Sequence, residues 1–253
     1  MSTLSVNSNK LRRHRSILLL RNQKGFAMAV IMALLPILIS AVLATFGVIT
    51  FTQTDLRLKY ICRRENIQTQ ERAAKLLKSL LTMNPEASYL QKRLKTAVAA
   101  CGYTGAGCAE LTRVRATIVL FKIRQQQLIS QANIILQQGY HRTLTHISRE
   151  GRDVVNSVPL FKGQFNLTPG SGPLLAIRPE AMAEPPTYSP VENFSDRQAL
   201  EHRWQYRLTT SQPLNIFLDQ SFHFDKGCSV TLKQDGDEWV TQIKKAKSLS
   251  KWL

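Results

Sequence analysis

The sequence predicts an α+β chain. It has one long N-terminal transmembrane-plus-stalk helix, then a helical hairpin, then a small C-terminal antiparallel β region. Three observations carry this expectation. An apolar run from Phe26 to Phe51 holds no charged residue and passes directly into an amphipathic pattern. Two further amphipathic stretches flank a glycine-rich loop bracketed by cysteines. Short β-rich runs then follow a proline-rich stretch.

Residues 1–25 form a basic tail: Lys10, Arg12, Arg13, Arg15, Arg21 and Lys24 with no acid. Residues 1–9 are small and polar and are expected to be disordered. Residues 10–24 interleave basic groups with Ile17–Leu20, which suits a segment lying on an anionic inner leaflet. The segment 26–52 follows. At 1.5 Å per helical residue its apolar run reaches roughly 39 Å, more than the ~30 Å hydrocarbon core of a bilayer. Leu, Ile, Val and Phe each favour insertion by about 0.3–0.6 kcal/mol. Together they outweigh Ser40, Thr45, Thr50, Thr52 and Pro36, and Pro36 is the expected kink. A secretory signal cleaved after Ala44 is the rival reading, but the apolar run continues past it.

Residues 53–156 read as a helical stalk and αα-hairpin. Leu56, Tyr60, Ile61, Ile67, Ala74, Leu77, Leu80 and Leu81 recur at helical steps, so membrane helix and stalk should form one rod. The pair Asn84-Pro85 should end it. A second helix carries Leu90, Leu94 and Val98 on one face and ends near Ala100. A third runs from Ala109 to about His146 with a three-four stripe from Leu111 to Ile135, broken only by Gln125. A strand over Thr117–Ile123 is the alternative there, given its β-branched content.

Residues 157–193 contain seven of the ten prolines and read as an irregular connector. Residues 194–253 form the β-containing region, with runs at Trp204–Thr210, Asn215–Phe224 and Ser229–Ile243 and a basic tail from Lys244. Asp235-Gly236 between two β-rich runs is a hairpin signal.

The formal charge is +17, of which residues 1–25 supply +6. The remainder favours anionic partners or a solvated surface. Cysteines 62, 101, 108 and 228 all follow the apolar run, as two disulfides would in an oxidising compartment. Three connectivities are open. The short spacing of Cys101 and Cys108 favours a local bridge, leaving Cys62 and Cys228. Six Lys/Arg before the anchor against five soon after, together with the downstream cysteines, point to a cytoplasmic N-terminus and an extracytoplasmic C-terminal region.

Signals for chemistry are weak. His141 and His146 are five apart and do not share a helix face as a metal pair would. His223 and Asp225 share a strand face with no nucleophile indicated. The glycines between Cys101 and Cys108 lack the Lys-Ser/Thr of a phosphate loop. We expect no enzyme, no cofactor and no metal site.

The stretch Lys24-Gly25-Phe26-Ala27-Met28-Ala29-Val30-Ile31-Met32-Ala33-Leu34-Leu35-Pro36 resembles the N-terminus of TadE/TadG-like proteins of tight-adherence (Flp) pilus assembly. That family pattern has a basic tail, a glycine, then an apolar helix with a proline about ten residues in; Gly25 and Pro36 hold the matching places. The resemblance covers about residues 21–52. Lys24-Gly25-Phe26 is also similar to a prepilin-type processing junction, with cleavage between Gly25 and Phe26. Val30 stands where pilins carry a glutamate, which they are thought to pair with a neighbour's amino terminus. The resemblance therefore implies a bacterial inner-membrane assembly or anchoring protein, fitting the uncleaved members better than a filament subunit. Its expected partners are membrane lipid and other envelope or pilus-assembly proteins. Anionic polymer, DNA or envelope polysaccharide, is the alternative, with nucleic acid less favoured.

Overall fold

A computed structural model describes residues 8–104, 107–158, 161–168, 172–180, 182–211 and 220–245, with the backbone alone over 8–26. Parts of the expected N-terminal tail, the hairpin tip, the run 215–224 and the basic C-terminal tail lie outside the described residues. The fold is α+β: helices followed by a C-terminal antiparallel sheet.

Helix α1 spans Ser8–Leu81 without interruption. It starts earlier than the expected rod, because no Gly or Pro precedes Gly25 to break the basic segment. Helix α2 spans Asn84–Thr104 and α3 spans Cys108–Asn156. The break falls at Thr82 and Met83, next to Pro85, whose missing N–H suits the first turn of a new helix. Helix α3 runs back past α2 and then α1. Its Val114–Phe121 packs with Met83–Ala97, Ala132–Tyr140 with Ala73–Leu77, and Ile147–Val155 with Leu58 and Cys62.

Three expectations along these helices are corrected. Helix α3 extends ten residues beyond His146 and is helical through Thr117–Ile123. On α2, Leu90 is buried and Leu94 half-buried as expected, but the face continues through Ala97, and Val98 is exposed. On α1, Leu56 and Tyr60 face out. The buried stripe instead runs Asp55, Leu58, Cys62, Asn66, Thr69, Gln70, Ala73, Leu77 and Leu80. Apolar periodicity found its far end, with Ala74, Leu77 and Leu80 buried as expected, but missed the part nearer the apolar run, where Asp55, Asn66, Thr69 and Gln70 are polar.

The late end of α3 depends on glycine. A Cβ on Gly151 would lie 2.3 Å from the Phe165 ring, and one on Gly139 would lie 2.2 Å from the Thr69 hydroxyl. Both positions let another element approach the helix backbone.

The sheet has strands β1 (Phe161–Thr168), β4 (Leu200–Thr210), β5 (Ser221–Asp235) and β6 (Glu238–Lys244), in the order β1-β4-β5-β6, all antiparallel. A separate two-stranded ribbon pairs β2 (Ile177–Pro179) with β3 (Tyr188–Pro190). Strand β1 corrects the reading of 157–193 as connector throughout. Phe161, Gly163, Phe165 and Leu167 alternate inward with Lys162, Gln164, Asn166 and Thr168 outward. That period of two is a strand signal which the surrounding prolines obscured. The expected hairpin at Asp235-Gly236 joins β5 to β6, with Gly236 at φ +59°. Strand β4 turns Leu200, His202, Trp204, Tyr206 and Leu208 onto α1 and α3. It begins opposite Val230, so the next β5 residues pair with β6 alone and have no strand on the β4 side. The short helix α4 (Phe194–Arg197) lies beside them, where the Ser195 carbonyl accepts from the Thr231 hydroxyl.

The remaining connector is a strap tied down by amide side chains. Asn84 Nδ2 donates to the Tyr188 carbonyl at 2.8 Å, and its Oδ1 accepts from the Tyr188 N–H at 2.9 Å. Gln91 and Gln125 donate to the carbonyls of Pro185 and Pro186 at 2.7 and 2.9 Å. Asn133 accepts from Leu175 N–H at 2.7 Å, and Gln137 donates to Pro173 at 3.2 Å. Gln125, the one break in the apolar stripe, is fully buried because it anchors this strap.

Two outcomes follow. Gly151→Ala should cost roughly 1–3 kcal/mol by overpacking against Phe165, read as a lowered unfolding midpoint in detergent. Gly102→Ala, into open space, should be far milder. The disulfide Cys62–Cys228 spans 166 residues and Cys101–Cys108 spans 7. By chain entropy their removal costs about 5 and about 2.5 kcal/mol respectively, so denaturant titration of the two paired Cys→Ser variants should rank them in that order.

Candidate functional site

The part of the molecule that stands apart chemically is the bare half of α1 and its junction with the folded head. From Ala27 to Phe46 every side chain is exposed, including Met28, Ile31, Leu34, Leu35, Ile37, Leu38 and Val42. A continuous apolar surface of this length has no stable place in water. This is one helix long and apolar enough to cross a membrane. Its hydroxyls are neutralised locally. Ser40, Thr45, Thr50 and Thr52 each donate to the carbonyl four residues earlier, at 2.7–2.9 Å. In lipid, where no water can take these protons, such back-bonding removes most of their desolvation cost.

Gly25 and Phe26 fall inside α1, in unbroken helix, and so does Pro36. The junction begins at Phe51. Its ring lies 5.3 Å from Tyr206, edge-on, and 5.5 Å from Phe224. One turn on, buried Asp55 pairs with Lys59 at 2.9 Å. Burial, then the neighbouring Asp55 carboxylate, push the Tyr206 phenol far above its ordinary value. The disulfide Cys62–Cys228 crosses from α1 to β5, with both residues buried. Above it Asn66 donates to the Leu200 carbonyl at 3.4 Å, and Gln70 donates to the carbonyls of Gln198 and Val230. The second disulfide, Cys101–Cys108, closes the far end of the α2–α3 hairpin.

His202, which the sequence did not single out, sits inside this joint. It is almost fully buried, stacked on Tyr140 with ring centres 4.6 Å apart. Its Nε2 lies 3.2 Å from Asn66 Oδ1, an acceptor, so the neutral ring carries its proton on Nε2. Its Nδ1 has no hydrogen-bond partner among the described residues. Desolvation therefore pulls its pKa down to about 4. A period-two pattern with His flanked by Leu200 and Trp204 was the available signal.

The other singled-out groups do not converge. His223 and Asp225 are exposed on the outer sheet face, beside Arg207 and Gln205. His141 and His146 are exposed on α3. A cleft of about 840 Å³ between α3, the strap and β4 is lined by Tyr140, Leu175, Glu201 and Arg203 and contains none of these histidines. Among the described residues no cluster of His, Cys, Asp and Glu could hold a metal ion. Of the basic groups on the hairpin, Arg93 and Lys122 are paired with Glu110 and Glu184, while Lys92, Lys95, Arg113, Arg115 and Arg124 are exposed.

His202 gives the head a pH dependence of known sign. Its folded pKa is below its unfolded value, so between about pH 4 and 6.5 the unfolded chain binds the extra proton. Stability should be full above pH 6.5 and should fall by roughly 3 kcal/mol as pH drops to 4. Denaturant titrations across this range should lose that part of the slope in His202→Phe, which keeps the ring stack and cannot titrate.

No protein-family model matches the chain, and neither a curated protein nor a solved structure does.

Proposed function

We propose that this protein is a single-pass bacterial inner-membrane component of a Tad/Flp-type, type IV-like pilus or secretion apparatus. It acts as a structural assembly or anchoring protein, with the N-terminus cytoplasmic and the head in the periplasm. The observation that carries this reading is α1 itself. Its first half is bare and apolar, and its second half is the central helix of a disulfide-tied head. Such a molecule holds a folded body at a fixed distance from a bilayer and offers it to neighbours. Both disulfides lie after the anchor, and such bonds persist in oxidising compartments, which supports a head outside the cytoplasm. The resemblance of Lys24–Pro36 to TadE/TadG-like proteins supports the pilus assignment. Val30, uncharged, favours a resident assembly factor over a filament subunit.

The exposed basic residues of the α2–α3 hairpin favour a second reading, a membrane-anchored binding module for an anionic polymer such as DNA or envelope polysaccharide. Binding of that kind weakens steeply with salt, because each neutralised phosphate releases counterions.

With tags at both ends, protease added to spheroplasts should remove the C-terminal tag and spare the N-terminal one, and the chain should resist carbonate extraction. Equal protection of both tags, or release by carbonate, overturns the reading. Intact mass then decides whether residues 1–25 are retained, as a resident factor requires.

A further inference from the structure

Along α1 the head is in register with the sheet: Phe51 meets Tyr206 and Phe224, Cys62 meets Cys228, and Gln70 meets Val230. Strand β5 therefore rises away from the anchor with α1, and its beginning points back toward it. Phe222 precedes Phe224 by two residues on the same face, about 7 Å nearer the anchor. That step equals four to five helical residues, which brings Phe222 level with about Phe46. Independently, a ~30 Å hydrocarbon core entered at Phe26 takes about twenty helical residues, so it also ends near Phe46.

Among the described residues, two aromatic rings lie at this level, with cations beside them. Phe222 is 37% exposed, and Phe161 packs edge-on against it with ring centres 6.2 Å apart. Lys162 and Arg207 are exposed on the adjoining outer face. Aromatic rings at headgroup depth with basic groups just above them form the chemistry of an interfacial contact.

We propose that this rim, Phe161 and Phe222 with Lys162 and Arg207, rests in the headgroup region of the same bilayer that α1 crosses. The head then makes a second membrane contact, which fixes its rotation about α1 and turns the outer sheet face and the hairpin in defined directions. This rests on the reading of α1 as a membrane anchor.

The test uses the full chain reconstituted in vesicles whose lipids are brominated at the shallow end of the acyl chain, with the parent chain's own tryptophan emission subtracted. Emission of Phe222→Trp should be quenched. Emission of Leu120→Trp, on the distal hairpin, should not be. Val42→Trp, inside the anchor, should be quenched in vesicles brominated deep in the chain. Phe161→Trp repeats the rim measurement should the Phe222 variant misfold. Quenching at Val42→Trp with none at either rim position overturns the rim contact and leaves the anchor standing. Absence of quenching at Val42→Trp overturns the anchor and the rim together. Equal quenching at Leu120→Trp and at the rim overturns a specific contact.

Discussion

One helix carries two kinds of surface, and the rest of the molecule follows from that. Over Ala27–Phe46, α1 shows apolar side chains on every face, as a lipid-facing helix does. From Phe51 it keeps the same backbone but buries only one stripe, against α3 and the sheet. No Gly or Pro separates the two regimes after Gly47. Head and apolar run therefore share an axis, and any tilt of one is transmitted to the other. The Phe51–Tyr206–Phe224 contact and the Cys62–Cys228 bridge fix the sheet to that axis just above the apolar run.

What holds the irregular part of the head is a set of side-chain amides. A strap rich in proline satisfies only a short part of its backbone with the β2–β3 ladder, yet its polar groups need partners once buried. Asn84, Gln91, Gln125, Asn133 and Gln137 supply them from the helix surfaces. Each such bond is worth only about 1 kcal/mol net, but a buried carbonyl left without one costs about 1–3 kcal/mol. The amides thus specify where the strap lies more than they raise stability. Asn66 and Gln70 do the same for the edge where β4 begins.

The two disulfides divide this task by scale. Cys101–Cys108 closes a local hairpin end, whereas Cys62–Cys228 ties residues 166 apart and joins the anchor helix to the third strand of the sheet order. A head assembled from distant segments on a single helix gains most from the long-range bond, because it removes the larger share of unfolded-chain freedom.

The sequence by itself determined the elements whose signal is local. The apolar run, the break at Asn84-Pro85, the α2–α3 hairpin and the Asp235-Gly236 turn all follow from composition and spacing over a few residues. The resemblance at Lys24–Pro36 is equally local and says nothing about the head. Tertiary structure alone decided the polar part of the buried face of α1, since Asp55, Asn66, Thr69 and Gln70 look like solvent residues until α3, the strap, β4 and β5 pack over them. It also decided that Phe161–Thr168 is a strand, that Gly139 and Gly151 are contact points, and that His202 is neutral and enclosed. Apart from Gly151, whose partner Phe165 lies fourteen residues on, each of these depends on a group more than thirty residues away, and short-range pattern carries no information about such a partner.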